Sequence, residues 1–437
     1  MHATIDQNHS PWILECAEGT PATALLGPCR ADVVVVGGGL TGLSTAWHLS
    51  ERFPERRIVV LEAHAVGNGA SGRNGGQILN WINGASDDDP ERIQRIHAVT
   101  RRGIDLGESL AAACGVKEAF SREGCLEVYT SAKRAEHAAE RVEQLSKLDI
   151  PLEWIAADRL GFKGAHGAVA DPLAGRLNSL ALLRAMKKVL LARGVAVHEN
   201  SAVTRIDEGR EIRVSTHGGE VRAATLVLAT NGYTPLLGRF RHGLLPMQAR
   251  NVATEPLDEA LWNELGWAGR LGFSDDFDRI AYGCRTAAGR VVFGGGGNFA
   301  YAYPYGGKLL PDASDRREER YYTAVEARLR HYFPGLPQRL IKHRWSGVLG
   351  VTLDRVCTMG IGGEHGNVLH ALGYSGHGLA LALLAGCVLT DLYADNHAPW
   401  RDLPFYQRRL LPIPPEPLRW TGYQVYTRLT GRSPRRG

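Results

Sequence analysis

One stretch near the N-terminus constrains the fold more than any other. Ala31–Val36 reads ADVVVV, Gly37–Gly42 reads GGGLTG, and Ile58–Leu61 reads IVVL with Glu62 behind it. A short, continuous, β-branched run marks a parallel strand buried on both faces. The glycine turn opens a helix from Leu40 to Arg52, and the second apolar run is the next strand. Strand, turn, helix, strand and terminal acid form a dinucleotide-binding fingerprint. Gly37 permits the tight turn, and Gly39 lets backbone approach a pyrophosphate. The helix start at Leu40 and Thr41 offers unpaired N–H groups and a partial positive charge. Gly42 lets helix and strand pack closely. Glu62, 20 residues beyond Gly42 and followed by Ala63, accepts ribose hydroxyls and disfavours a 2′-phosphate.

Composition narrows the class. The chain has 437 residues, 44% of them hydrophobic and 22% charged, enough for a large core and too apolar for wholesale disorder. A net charge of +5 is too mild for a dedicated nucleic-acid binder. Cysteines 16, 29, 114, 125, 284, 357 and 387 are scattered, with no zinc spacing, so the expectation is no metal site and a reducing, cytoplasmic compartment. The start of the chain carries no apolar secretory core. The apolar stretch Leu379–Thr390 is too short to span a bilayer and reads as a buried helix. The 52 glycines, about 12% of the chain against a usual ~7%, mark places where backbone comes close to something.

The second such place is Val66–Gln77, VGNGASGRNGGQ, with five glycines in twelve residues. A plain nicotinamide dehydrogenase would enter its next helix here. A polar glycine-rich strip instead suits a bulkier cofactor, FAD. Gly69, Ala70, Gly75 and Gly76 would lay backbone along it, and Ser71, Arg73, Asn74 and Gln77 could donate to its pyrophosphate or flavin edge.

With these motifs, LVLATNGYTP (Leu226–Pro235) and GYSGHGLALA (Gly373–Ala382), the chain resembles the D-amino acid oxidase/glycine oxidase/sarcosine oxidase (DAO) family of FAD-dependent oxidoreductases. The GRNGGQ loop and the GYSGHG form resemble its gamma-glutamylputrescine-oxidase-like branch. The resemblance implies an α/β fold. A Rossmann-like FAD-binding domain, discontinuous in sequence, would carry an inserted α+β substrate domain built on an antiparallel sheet. Residues 1–29 would be an N-terminal extension, and 30–85, 151–235 and 341–395 the FAD-binding domain. Residues 86–150 and 236–340 would be the substrate domain, and 396–437 a proline-rich tail that wraps the FAD domain and frays. Val203 backbone would lie near adenine. Ala229, Thr230 and Gly232 would approach the pyrophosphate, and Gly347 would be a further cofactor contact.

Gly373, Tyr374, Ser375, Gly376, His377 and Gly378 open the apolar helix from Leu379. The resemblance implies that this turn meets the flavin pyrimidine edge, where a helix N-terminus stabilises negative charge. His377 and Tyr374 are the catalytic candidates, although the family pattern needs no acid–base dyad. Some relatives attach FAD through a cysteine before the final strand; Trp345–Gly350 has none. Others use a histidine in the loop after the second strand, where Arg73 and Asn74 stand. Non-covalent FAD is therefore expected.

The implied reaction is hydride transfer from an amine C–H to flavin, imine hydrolysis, and reoxidation by molecular oxygen giving hydrogen peroxide. Tyr282, Arg285, Trp345 and Tyr374 are the substrate-binding candidates, an arginine clamp matching an acidic amine. An amine dehydrogenase, a monooxygenase using NAD(P)H, and a non-catalytic flavoprotein subunit are the competing readings. Arg435 and Arg436 at the basic end could touch acidic lipids.

Overall fold

The structure, a computed structural model, describes residues 10–430 apart from 86–88, 268, 270 and 278. The basic end with Arg435 and Arg436 lies outside the described residues.

Along the chain, β1 (Gly27–Val36) leads through the glycine turn into α1 (Leu40–Arg52) and β2 (Ile58–Leu61). Then come β3 (Gln77–Ile78), α2 (Pro90–Ala113), β4 (Phe120–Ser121), β5 (Cys125–Tyr129), α3 (Ala132–Ser146), β6 (Glu153–Ala156), β7 (Gly167–Asp171), β8 (Gly175–Leu177) and α4 (Ser179–Ala192). Strands β9 (Ala196–His198), β10 (Val203–Asp207), β11 (Ile212–Thr216), β12 (Gly219–Leu228), β13 (Leu245–Thr254), helix α5 (Glu259–Leu265), β14 (Gly272–Asp275), β15 (Ala281–Arg285), β16 (Val291–Gly295) and β17 (Tyr301–Ala302) follow. The chain ends with α6 (Glu319–Tyr332), β18 (Ile341–Val351), β19 (Thr358–Gly362), β20 (Val368–Leu372), α7 (Leu379–Tyr393) and α8 (Leu418–Thr430).

The first sheet is parallel at its centre, in the order β9-β2-β1-β12, with β20 also parallel on the C-terminal half of β12. Strand β1 explains why the sequence reads as it does. Val33 and Val35 enter a core with Leu43 of α1, Leu183 of α4 and Leu383 of α7. Val34 and Val36 enter a second core on the other face, with Ile212 and Val214. Both faces are covered, so no polar residue can alternate. Helix α7 is enclosed by α1 and α2 at very short range. A Cβ on Gly386 would strike the backbone of Ser44, and one on Gly103 would lie 2.5 Å from the Ala380 carbonyl. The Ser44 hydroxyl donates to the Leu383 carbonyl at 2.6 Å across this contact.

The second sheet runs β17-β13-β16-β15-β14-β5-β7-β6, with β18 antiparallel along the whole of β13. Its pairings are antiparallel except β5 with β14. Its core is aromatic: Phe162, Trp262, Trp267, Phe273, Tyr332 and Phe333 pack together, with Trp267 stacked on Phe333.

Two expected boundaries move. Residues 151–171 do not start the second FAD-binding segment, because β6 and β7 continue the antiparallel pairing from β5 in the second sheet. Residues 341–351 do not belong to the first sheet either, because β18 pairs with β13 throughout. The described part of the tail reaches both sheets. Residues 405–407 bond to β19 of the first sheet, and α8 then crosses to the second. There Glu416 accepts from Tyr303 at 2.5 Å and the Thr427 carbonyl accepts from Asn298 at 2.8 Å.

The α1–α7 contact gives a direct test. Replacing Gly386→Ala should destabilise the protein by about 1–3 kcal/mol, the usual cost of overpacking a rigid core. Urea unfolding with an unchanged m-value is the measurement.

Candidate functional site

One cavity of about 780 Å³ lies between the sheets, lined by both and by α8. Its first wall is the turn after β1. Gly37 has φ +113°, and a Cβ there would lie 2.7 Å from the Ala229 carbonyl. A Cβ on Gly39 would meet the Ser71 hydroxyl at 2.8 Å, and one on Gly42 would overlap the Gly37 carbonyl. Backbone alone therefore forms this surface. The Glu62 carboxylate accepts from the Gly38 N–H at 2.7 Å and the His64 N–H at 3.0 Å. Burial pushes this carboxyl up, and those backbone hydrogen bonds oppose the shift. Each carboxylate oxygen keeps acceptor capacity toward the cavity.

The second wall is the loop after β2, whose polar side chains line the cavity and also bond within the protein. Arg73 is buried, donating through Nε to the Asn68 carbonyl at 2.6 Å and through Nη1 to the Ser346 carbonyl at 3.2 Å. Asn74 donates to the Ser71 carbonyl and to Ser179, and accepts from Gly76. Gln77 donates to the carbonyls of Phe273 and Gly283. Ser71 accepts from the Leu40 N–H at 3.0 Å. These bonds hold the loop in shape against the cavity. Trp12, from the N-terminal segment read only as irregular, donates to the Asn74 carbonyl at 2.9 Å and packs under Gly76.

Strand ends close the cavity. Val203, Ala229, Thr230 and Gly232 line it from β10 and the end of β12. Asn231 joins them and was not singled out from sequence. It sits at φ +40°, where asparagine is tolerated. Its carboxamide oxygen accepts from the Gly373 N–H at 2.9 Å, and it fills the space a Cβ on Gly350 would need. The signal was present in ATNG, a polar residue between a strand end and a glycine.

The last turn lies opposite. Tyr374, Ser375, Gly376, His377 and Gly378 line the cavity, and α7 begins at Leu379. The Tyr374 and Thr41 hydroxyls are 2.7 Å apart, tying this turn to the start of α1. Burial pushes the Tyr374 phenol up, as it does for Tyr282, which donates to the Asn251 carboxamide oxygen at 2.6 Å. Both phenols stay protonated at neutral pH, so they donate rather than abstract protons.

A model of the family described as FAD dependent oxidoreductase (DAO) matches residues 32–392. The chain belongs to the DAO family. It is 30% identical over 401 residues to the gamma-glutamylputrescine oxidoreductase of Escherichia coli, covering 86% of this chain and 87% of that one. It is 27% identical over 382 residues to a probable oxidoreductase, OrdL, of Haemophilus influenzae, with 83% and 82% covered. Among solved structures, glycine oxidase from Geobacillus kaustophilus superposes with a TM-score of 0.72 at 19% identity, over 88% of this chain and 100% of that one. That likeness supports the fold, and the family supports FAD as cofactor.

The cavity fits such a group. A glycine-walled turn at a helix start suits a pyrophosphate, and a carboxylate at the end of β2 suits ribose hydroxyls. Of the positions expected to meet the cofactor, Gly42, Gly76 and Gly373 stand behind the lining instead. The substrate candidates divide. Tyr282 lines the cavity, its ring filling the room beside Gly75 and Gly294. This explains the first residue of the glycine run 294–297. Arg285 does not reach it: its guanidinium lies 5.4 Å over Trp262 and pairs with Glu259 at 3.7 Å, on the other side of the sheet edge. Trp345 is no wall either, being fully buried with its N–H on the Arg73 carbonyl at 2.9 Å. Alternation along β15 separates Tyr282 from Arg285, since residues three apart on a strand face opposite sides.

Glu62→Ala should raise the Kd for FAD about tenfold to a hundredfold, because hydrogen bonds to a charged group contribute about 1.5–3 kcal/mol. Fluorescence quenching on titration of the apoprotein with FAD measures it.

Proposed function

We propose that the chain is an FAD-dependent oxidase of a small amine or amino acid, holding FAD non-covalently and passing electrons to molecular oxygen. The observation that carries this reading is the single continuous cavity, glycine-walled at one end and lined by Tyr282, Met247 and Ala249 at the other. The first sheet with its helices would serve as the FAD-binding layer and the second sheet as the substrate layer. The names of relatives support the substrate class: the Escherichia coli protein is a gamma-glutamylputrescine oxidoreductase, and others are glycine oxidases.

Bound FAD would supply the hydride acceptor for the amine C–H bond. The residues of this chain do the rest. Glu62, Gly39 and the start of α1 would hold the dinucleotide. Ala229–Gly232 and Val203 would flank it, and the Gly373–Gly378 turn would present the α7 N-terminus to the ring. Leu245, Met247, Ala249 and Val348 line the cavity and would exclude water from the reacting end, which would strengthen every polar contact there. Tyr282 and Tyr374, fixed by Asn251 and Thr41, limit where a small amine can lie. Positioning, rather than a side-chain base, is the main contribution asked of the protein. Among the described residues no cysteine lines the cavity, and Cys357 is buried behind it, which supports non-covalent binding. Scattered free cysteines support a cytoplasmic location.

Anaerobic addition of primary, secondary and N-methyl amines, amino acids and aminophosphonates should bleach the flavin absorbance of the holoenzyme for one class. Admitting air should then restore it with one hydrogen peroxide per reduced flavin. Reoxidation by a dye or quinone but not by air indicates a dehydrogenase, and bleaching by NADPH alone indicates a monooxygenase. Acid precipitation should leave the flavin in the supernatant; flavin retained on the protein pellet contradicts the non-covalent reading.

A further inference from the structure

The loop after β2 is held from beneath at four successive carbonyls. The Gly72 carbonyl accepts from the Ser10 hydroxyl at 2.6 Å, and the Arg73 carbonyl from the Trp345 indole at 2.9 Å. The Asn74 carbonyl accepts from the Trp12 indole at 2.9 Å, and the Gly75 carbonyl from the Cys284 thiol at 2.9 Å. All of these donors are buried, and none of them lines the cavity. Ser10 and Trp12 precede residues 32–392, which the family model matches, so this half of the support lies outside the matched region.

The C=O and N–H of a trans peptide point in opposite directions, and these peptides are trans. Each carbonyl fixed from beneath therefore turns the N–H of the next residue to the other side. At the two ends of the run that N–H is used inside the loop. The Arg73 N–H donates to the Ala70 carbonyl at 3.2 Å, and the Gly76 N–H to the Asn74 side chain at 2.9 Å. In the middle it is not. Among the described residues, the Asn74 and Gly75 N–H groups have no acceptor, and both residues line the cavity. Backbone N–H groups at such a place normally find a partner in a ligand or in water. The loop starts at the glycine turn, where Ser71 accepts from Leu40, and reaches Gly75 beside the Tyr282 ring. Gly75 thus faces the end of the cavity away from that turn, where the ring system of FAD would lie.

Trp12 is itself firmly placed. It is fully buried against Leu180, Val292 and Trp345. Gly76 sits at φ +82°, and a Cβ there would lie 2.6 Å from the Trp12 ring. Glu15 ties the same segment to both layers. Its carboxylate accepts from the Thr286 hydroxyl at 2.6 Å, beyond β15, and its carbonyl accepts from the Asn178 side chain at 3.0 Å, at the start of α4. We propose that Trp12 is a positioning residue for the flavin: by holding the Asn74–Gly75 peptide, it aims the Gly75 N–H at the ring system of bound FAD. An N–H aligned there in advance stabilises the negative charge of the reduced ring. This role rests on FAD occupying the cavity as read above, and it is independent of which amine is oxidised. It gives the segment before β1 a function, since that segment carries a donor that sets the geometry of the cofactor loop.

The test uses holoenzyme of the wild type, Trp12→Phe and Ser10→Ala, with FAD content and Tm measured first. Trp12→Phe keeps a buried ring and removes its N–H. Ser10→Ala removes a bond to the same loop, but to the peptide whose N–H is used internally. Both should lower Tm. In slow reduction against a redox dye of known potential, Trp12→Phe should shift the equilibrium ~2–10-fold toward oxidised flavin, as expected for one weakened hydrogen bond. Tenfold corresponds to about 30 mV for a two-electron couple. Its visible flavin absorption should also move from the wild-type position. Ser10→Ala should keep the wild-type equilibrium and spectrum. A wild-type equilibrium and spectrum in FAD-replete Trp12→Phe overturns the proposal. Equal shifts in both variants also overturn it, because general loosening of the loop then accounts for them. If Trp12→Phe does not hold FAD, hydrogen exchange of the wild type decides. The Asn74 and Gly75 amides should exchange more slowly once FAD binds the apoprotein, and unchanged exchange counts against the proposal. No amine enters these measurements, so if no amine reduces the flavin, the amine-oxidation reading falls and the role of Trp12 stands.

Discussion

The structure depends on backbone meeting backbone with no side chain between. At the turn after β1, Gly37 faces the Ala229 carbonyl, and Gly42 sits on the Gly37 carbonyl. At the other rim, a Cβ on Gly232 would lie 2.8 Å from the Leu349 backbone, and Asn231 occupies the room beside Gly350. These approaches bring three separated chain segments to one place. They leave a surface of peptide groups and small polar caps, which is what an extended anionic cofactor needs. Any Cβ at these points would separate the segments and open the wall.

Close approach also organises the protein away from the cavity. Gly386 and Gly103 let α7 press against α1 and α2, which fixes the glycine turn that precedes α7. The Thr41–Tyr374 contact then locks the starts of α1 and α7 together. The second sheet contributes in a different way. Its long strands β13 and β18 carry Met247, Ala249, Gly347 and Val348 to the cavity, and its loops carry Arg279. One layer thus lines the cavity largely with turns and strand ends, and the other lines it with side chains carried on long strands.

The sequence was most legible where local pattern and burial agree. Ala31–Val36, Leu40–Arg52 and the apolar helix from Leu379 were all plain, because each is buried on the faces its pattern demands. The central strand β13 was not, because Gln248, Arg250 and Asn251 interrupt its apolar pattern. They are buried all the same, since Arg250 pairs with Glu318 at 2.6 Å and Asn251 accepts from Tyr282. A strand whose polar residues find partners far along the chain reads locally as a loop. The same applies to Arg73, whose Ser346 carbonyl partner lies far along the chain and cannot be read from its own loop.

By itself the sequence determined the nucleotide-binding turn, the glycine-rich loops and the family, because glycine placement and β-branched runs are local constraints that survive without a partner. Tertiary structure decided which charged side chains face the cavity. Arg285 and Arg279 are equivalent as letters, six positions apart on either side of β15. Only the pairing of strands sets which one meets Glu259 and which one lies among three tyrosines. A residue's net charge is written in the sequence, but which groups that charge meets depends on partners brought in by the fold.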